Sequence, residues 1–241
     1  MAPPGPSREV AVWDLPTRVF KWSLVVAVCV AFLVSSGRPR GISFLVHVAC
    51  GYTVVVLLLF RFAWGFVGGE HARFRSFVHG WTTVSRYGRR LLLLDPPRTE
   101  GHNPVGGWMI MTLLATLSAI VLTGLLAEGK TGGAGPLSAL LPASVAAVVG
   151  DIHAWLGDLI MWLVGVHVAG VLVESVLHRE NLIRTMFTGR KRTADPNARD
   201  ARPVSLWRAV PLLVVLVFLG VWFAADTRMP PATPAPIMHA G

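Results

Sequence analysis

GDIHAWLGDLIMWLVGVHVAGVLVESVLHRE, residues 150–180, is the stretch from which the fold is read. It is a long apolar run carrying two histidines, His153 and His167, fourteen residues apart. At about 100° per residue, fourteen residues make nearly four helical turns, so both imidazoles leave roughly the same face. At about 1.5 Å per residue they stand roughly 21 Å apart along the axis. Two ligand-type side chains on one face, at opposite membrane depths, form a ladder whose partners must come from elsewhere in the chain.

The composition places that ladder in a bilayer. The chain has 241 residues, 53% hydrophobic and 15% charged, with a mean hydropathy of +0.57. This is a membrane composition rather than a soluble one. The formal net charge is +9, but the basic residues fall between apolar blocks, where membrane topology puts them, so nucleic acid is not the expected partner. The two cysteines, Cys29 and Cys50, each sit inside an apolar run and are expected to be small buried residues. The sequence has no nucleophile triad, no phosphate-binding glycine loop and no cysteine–histidine zinc pattern.

Five apolar runs approach the roughly 20 residues that span a hydrocarbon core. They are Phe20–Ser36, Phe44–Phe66, Gly106–Ala127, Gly150–Leu177 and Leu206–Ala225. The first lacks an A-x-A-like cleavage site and is read as a helix rather than a signal peptide. The expected fold is an all-α integral membrane protein, a four-helix bundle plus a fifth C-terminal transmembrane helix. Residues 1–192 make the bundle domain, 193–205 a basic cytoplasmic linker, and 206–241 the fifth helix with a Pro-rich periplasmic tail.

Orientation follows from lysine and arginine. Arg8, Arg18 and Lys21 flank the start of the first run. Arg73, Arg75, Arg86, Arg89, Arg90 and Arg98 lie between the second and third, and a further basic cluster follows the fourth. The other side has Arg38, Arg40, Lys130 and Arg228. The N-terminus is expected in the cytoplasm and the C-terminus outside. The long connection after the second run mixes aromatics, leucines and arginines; it reads either as a segment on the inner membrane surface or as a solvated loop.

Ligand-type residues inside membrane helices are costly and by default mark a site. The second and fourth runs both go from outside to inside, so His47 and His153 are expected at a similar outer depth. Two facing neutral imidazoles hold a haem iron axially. The alternative, for any one histidine, is a hydrogen bond to a neighbouring helix. His167 needs a partner on the inner side, and Lys21 is the ligand-capable side chain at that level. An ammonium cannot ligate iron, whereas a neutral amine can, and burial favours the neutral form of a lysine. Alternatively Lys21 snorkels to the interface as a topology charge. Arg18 and Arg61, at the inner ends of their helices, are candidates to pair with haem propionates or serve as positive-inside anchors. His71, His79 and His102 fall in the connecting loop, with His79 the one considered as a substitute inner ligand.

These pieces carry a resemblance. VWDLPTRVFKW (12–22), HVACGYTVVVLLLFRFAWGFVG (47–68), HARFRSF (71–77), GHNPVGGWM (101–109), the His153/His167 pair and HRENLIRTMFTGRKR (178–192) together resemble the bacterial cytochrome b561 family. That family includes the b-type cytochrome subunits of nickel–iron hydrogenases. The GHNP-x-GG segment looks more like the free-standing b561 proteins. The resemblance implies a four-helix di-haem cytochrome of the inner membrane. His47 and His153 match the outer-haem ligands, and His167 one inner ligand. The family's other inner ligand is a histidine in R-x-x-H-W. Here the motif reads Arg18-Val19-Phe20-Lys21-Trp22.

The inner site therefore has three expected forms: a haem on His167 and Lys21, a five-coordinate haem on His167, or no inner haem. The expected function is electron transfer by haem b between the membrane quinone pool and a periplasmic redox protein such as a c-type cytochrome. Such a protein is a carrier rather than a stand-alone enzyme. The alternatives are a haem-bearing anchor subunit of a hydrogenase-like oxidoreductase and a haem-free transporter or structural subunit.

Overall fold

In the computed structural model, which describes residues 8–35, 41–129, 133–193, 198–202, 204–210, 213, 214, 217 and 218, the first long helix begins on Asp14. Its Oδ1 accepts the Thr17 backbone N–H at 2.7 Å, satisfying one of the donors that a helix N-terminus leaves free. Helix α1 (Leu15–Ser35) follows, and α2 (Ile42–Val67) returns antiparallel along it. The same carboxylate holds the far end of α2. Its Oδ2 accepts the Gly69 N–H at 3.0 Å and the indole N–H of the fully buried Trp64 at 3.2 Å. Gly69 has no room for a side chain, because a Cβ there would lie 2.3 Å from Asp14 Oδ2.

Two short helices, α3 (Phe74–Phe77) and α4 (Trp81–Leu92), precede α5 (Pro104–Leu126). Asn103 caps α5 by accepting the Gly106 N–H at 2.6 Å, and Pro104 occupies the first turn, where no N–H is needed. Helix α6 (Ala143–Leu177) is the longest at 35 residues, and α7 (Leu182–Thr188) ends on Gly189 in the left-handed region, φ 77°. Strands β1 (Arg8–Ala11) and β2 (Arg190–Thr193) pair antiparallel with Val10 opposite Lys191. These short elements gather at one end of the bundle, where α1 and α5 start and α2 and α6 finish, while a 3-10 turn at Ser138–Leu140 lies at the other, between α5 and α6.

Helices α1, α2, α5 and α6 are each long and apolar enough to cross a membrane. They form two antiparallel pairs, α1 with α2 and α5 with α6, joined mainly where α2 meets α5. Phe20, Val54, Leu58, Trp64, Leu114, Leu117 and Ile160 belong to the shared core. Helix α6 has little packing against α1 or α2. Among its residues only Ala146 and Ile160 are buried. The outward faces carry exposed Leu33, Phe66, Trp162 and Val176, as surfaces in contact with lipid do.

Four of the expected spans stand, with shifted ends. Helix α6 starts at Ala143 rather than Gly150, because Gly150 and Asp151 continue the helix instead of opening it. Helix α1 starts at Leu15, so Arg18 and Lys21 lie within it. Neither cysteine is buried, Cys29 being exposed and Cys50 half-buried: in a bilayer, an apolar position can face outward. Arg8–Ala11, ahead of the first span, and Arg190–Thr193, after α7, pair as a two-stranded ribbon. Helix α4 packs on α5 through buried Val84 and Tyr87, with Trp81, Leu92, Leu93 and Leu94 exposed. This is an amphipathic element at the bundle end. The fifth span (Leu206–Ala225) lies mostly outside the described residues; of it, Leu206–Arg208 form a 3-10 turn. The Pro-rich tail, Arg38, Arg40, Lys130 and Arg228 also lie outside them.

Candidate functional site

His47, in the second turn of α2, and His153, on α6, meet across the gap between the helix pairs. Their ring centroids are 6.0 Å apart and the planes are inclined by 86°. Both rings are anchored through Nδ1. That of His47 donates to the Ala31 carbonyl at 3.1 Å. That of His153 donates to the Ile120 carbonyl at 3.0 Å, with the Thr123 hydroxyl 3.3 Å away. A backbone carbonyl taking the Nδ1 proton leaves the lone pair on Nε2, the arrangement usual for a metal-ligating histidine.

At 6.0 Å and 86° the two imidazoles meet edge to face. No group of three histidine, cysteine or carboxylate side chains able to hold a metal occurs among the described residues. Two imidazoles alone suit an iron that brings its own equatorial donors, which is haem. Space is made for the ring as well: a Cβ on Gly124 would lie 2.9 Å from His153 Cε1. The donor set fits haem b.

The second rung is built differently. No hydrogen bond from the His167 ring is formed among the described residues, and the ring lies within electrostatic reach of Lys21. Lys21 Nζ donates to the Met186 sulfur at 2.9 Å and sits 5.6 Å from the Trp13 ring centre. Arg61 is buried, its guanidinium 4.9 Å from the Phe74 ring centre and 5.6 Å from that of Phe77. Arg18 donates to the Phe187 carbonyl. Arg18 and Arg61 each keep one buried nitrogen without an acceptor, at Nε and Nη1 respectively. Orphaned cationic donors of this kind suit a carboxylate-bearing guest such as a haem propionate.

His102 lies in the loop just before α5, as its place in the sequence implies, but its ring is inside this end. Both ring nitrogens are shut from solvent and neither has a hydrogen-bond partner. The ring lies 4.5 Å from Trp13 and 5.2 Å from Phe77, centroid to centroid. Burial first, then the charges of Lys21 and Arg61 and the neighbouring His167 and His71, hold its pKa well below the ordinary histidine value. The signal available in the sequence was its position, two residues before the start of α5 and next to the capping Asn103. His79, by contrast, is tied locally, its Nδ1 donating to the Phe77 carbonyl at 2.9 Å.

Below this cluster the bundle end is closed by Glu174. It accepts the Tyr87 hydroxyl at 2.6 Å and the Asn103 side-chain amide. Burial, then the hydrogen bond to Glu174 and its charge, push the Tyr87 pKa up. His178 is buried beside it, with Nε2 3.7 Å from Glu174 Oε1, and burial lowers its pKa despite that carboxylate.

Comparison with known proteins bears on the same segment. The profile of a family described as prokaryotic cytochrome b561 matches residues 12–189. A probable Ni/Fe-hydrogenase B-type cytochrome subunit of Bradyrhizobium diazoefficiens is 27% identical, over 77% of this chain and 87% of its own. The probable Ni/Fe-hydrogenase 1 B-type cytochrome subunit of Escherichia coli is 26% identical, over 74% of this chain and 88% of its own. A counterpart in Rhodobacter capsulatus is 22% identical, over 78% and 83%. No solved structure matches the chain.

Proposed function

We propose, from the premise that this chain belongs to the prokaryotic cytochrome b561 family and is a multi-pass membrane b-type cytochrome holding haem b, that it is the haem-bearing membrane subunit of a hydrogenase-like oxidoreductase. The observation that carries the reading is the His47–His153 pair, with both Nδ1 atoms fixed on carbonyls 3.1 and 3.0 Å away. Bound haem supplies reversible one-electron transfer. The chain's own residues position and insulate it.

His47 and His153 are the ligands at the outer end, and the carbonyls of Ala31 and Ile120 keep both rings in the ligating tautomer. His167 is the ligand at the arginine-rich end, with Lys21 as its companion and Arg18, Arg61 and His102 as donors to the propionates. The arginine-rich end lies in the cytoplasm and the His47–His153 end faces the periplasm of a bacterial inner membrane. The protein then joins a periplasmic metalloenzyme on one side to the quinone pool in the membrane. The hydrogenase-subunit names of its relatives support this partner over a c-type cytochrome.

A second reading, the free-standing carrier, rests on the GHNP-x-GG segment at residues 101–107. Purification of the tagged full-length chain in mild detergent, with a pyridine haemochrome assay, separates the readings. The proposal expects a b-type spectrum, a co-purifying large metalloenzyme and haem reduction under hydrogen. A coloured protein that comes alone and exchanges electrons with a c-type cytochrome supports the free-standing carrier. A colourless one supports the transporter.

A further inference from the structure

A cavity of about 610 Å³ opens where α2 ends, and none of His47, His102, His153, His167 and Lys21 lines it. One wall is the segment after α2, with Glu70, Arg73 and Arg75. The other comes from far along the chain, with Arg202, Ser205 and Arg208. Four guanidiniums thus face one pocket that contains a single carboxylate, an excess of positive charge at the level where an apolar helix stops. Arg73 is oriented by its Nε, which donates to the Gly68 carbonyl at 2.8 Å. Glu70 is engaged by the Arg202 backbone N–H at 3.5 Å. No hydrogen bond or ion pair engages the Arg75 or Arg208 side chain among the described residues.

The pocket is continuous with an apolar surface. Phe74, between Arg73 and Arg75 in sequence, packs its ring 5.4 Å from Phe66 and 6.3 Å from Phe62. With Leu59 these two occupy positions i, i+3 and i+7 of α2, one face of the helix. All three are exposed, Phe66 at 73%. A basic pocket set against an exposed apolar stripe matches an amphiphile with an anionic head.

We infer that this cavity binds the phosphate headgroup of an anionic membrane phospholipid, with the acyl chains lying along Leu59, Phe62 and Phe66. Guanidinium pairs with phosphate oxygens in charge-assisted, often bidentate, hydrogen bonds. Basic pockets at the membrane–water boundary of helical proteins are suited to such headgroups. A free phosphate would satisfy the arginines but leave the stripe unused, so the lipid is the occupant proposed.

The test uses the full-length haem-loaded protein in detergent. Retained lipid is read by native mass spectrometry, and the thermal midpoint is followed with added phosphatidylglycerol, phosphatidylcholine or inorganic phosphate. Phosphatidylglycerol is expected to bind and raise the midpoint, while phosphatidylcholine and inorganic phosphate leave it unchanged. The double variant Arg75→Gln/Arg208→Gln is expected to weaken phosphatidylglycerol binding about tenfold or more, since loss of about 1.4 kcal/mol is tenfold in affinity, with its haem spectrum intact. Ser205→Glu, which adds a carboxylate to the pocket, gives a second route to the same loss if the double variant folds poorly. Arg89→Gln, on the exposed face of α4, is expected to bind as wild type. Equal retention by the pocket variants and wild type overturns the inference, as does a midpoint rise with inorganic phosphate, or an equal loss in Arg89→Gln.

Discussion

Gly124→Ala tests the outer rung without touching a ligand. A Cβ at Gly124 lies 2.9 Å from His153 Cε1, whereas non-bonded carbons rest at about 3.5–4.0 Å. The ring must therefore retreat by roughly 0.6–1 Å. Metal–ligand distances tolerate about 0.2 Å, and the Nδ1 bond to Ile120, now 3.0 Å, would stretch or break. Disturbing the partner that orients a ligating histidine typically costs 10–100-fold in metal affinity. We expect Gly124→Ala to lose outer haem about 10–100 times more readily to a haem-scavenging apoprotein, with a changed absorption spectrum. Gly80→Ala, at the start of α4 with nothing within 4 Å of its Cβ, is the control and is expected to behave as wild type. Wild-type haem retention and spectrum in Gly124→Ala would refute the reasoning.

His167→Ala is expected to remove only the inner haem, halving the pyridine haemochrome yield per chain and leaving the outer component of the spectrum. Lys21→Met is expected to lose or shift the same inner component; an unchanged spectrum would remove Lys21 from the coordination sphere. Asp14→Ala deletes the cap on Thr17 and the acceptor of Gly69 and Trp64. It is expected to destabilise the protein by roughly 2–3 kcal/mol, read as a lower thermal midpoint. The lowered pKa values of His102 and His178 set a sign for acid sensitivity. The unfolded chain takes up protons below about pH 6.5 while these folded histidines do not, so stability falls as pH drops from about 6.5. Comparing thermal midpoints at about pH 7.5 and 5.5 checks this. His102→Gln is expected to flatten the difference.

The four helices were legible because a bilayer needs about 20 consecutive apolar residues. Their ends were less so: Gly150 and Asp151 look like a helix start, yet α6 runs through them from Ala143. The His47–His153 encounter followed from topology alone, since two parallel helices place similar offsets at similar depth. Which side of a helix faces inward was not legible for Cys29, because core and lipid are both apolar. The β1–β2 pairing has no local signal, as its partners lie about 180 residues apart and each strand has four residues. The burial of His102 is not legible in the sequence, because a polar loop residue is ordinarily solvated. Its burial depends on Trp13 and Phe77 closing over it from distant parts of the chain. The GHNP-x-GG segment resembles free-standing carriers, whereas the relatives named above bear the names of probable hydrogenase cytochrome subunits.

The central claim is that His47 and His153 share one haem. Haem counts and difference spectra of His47→Ala, His153→Ala and the double variant test it most directly. Each single variant is expected to lose the same spectral component, and the double variant to lose nothing more than either single one. Full haem content in a single variant, or two different components lost by the two, would contradict the claim.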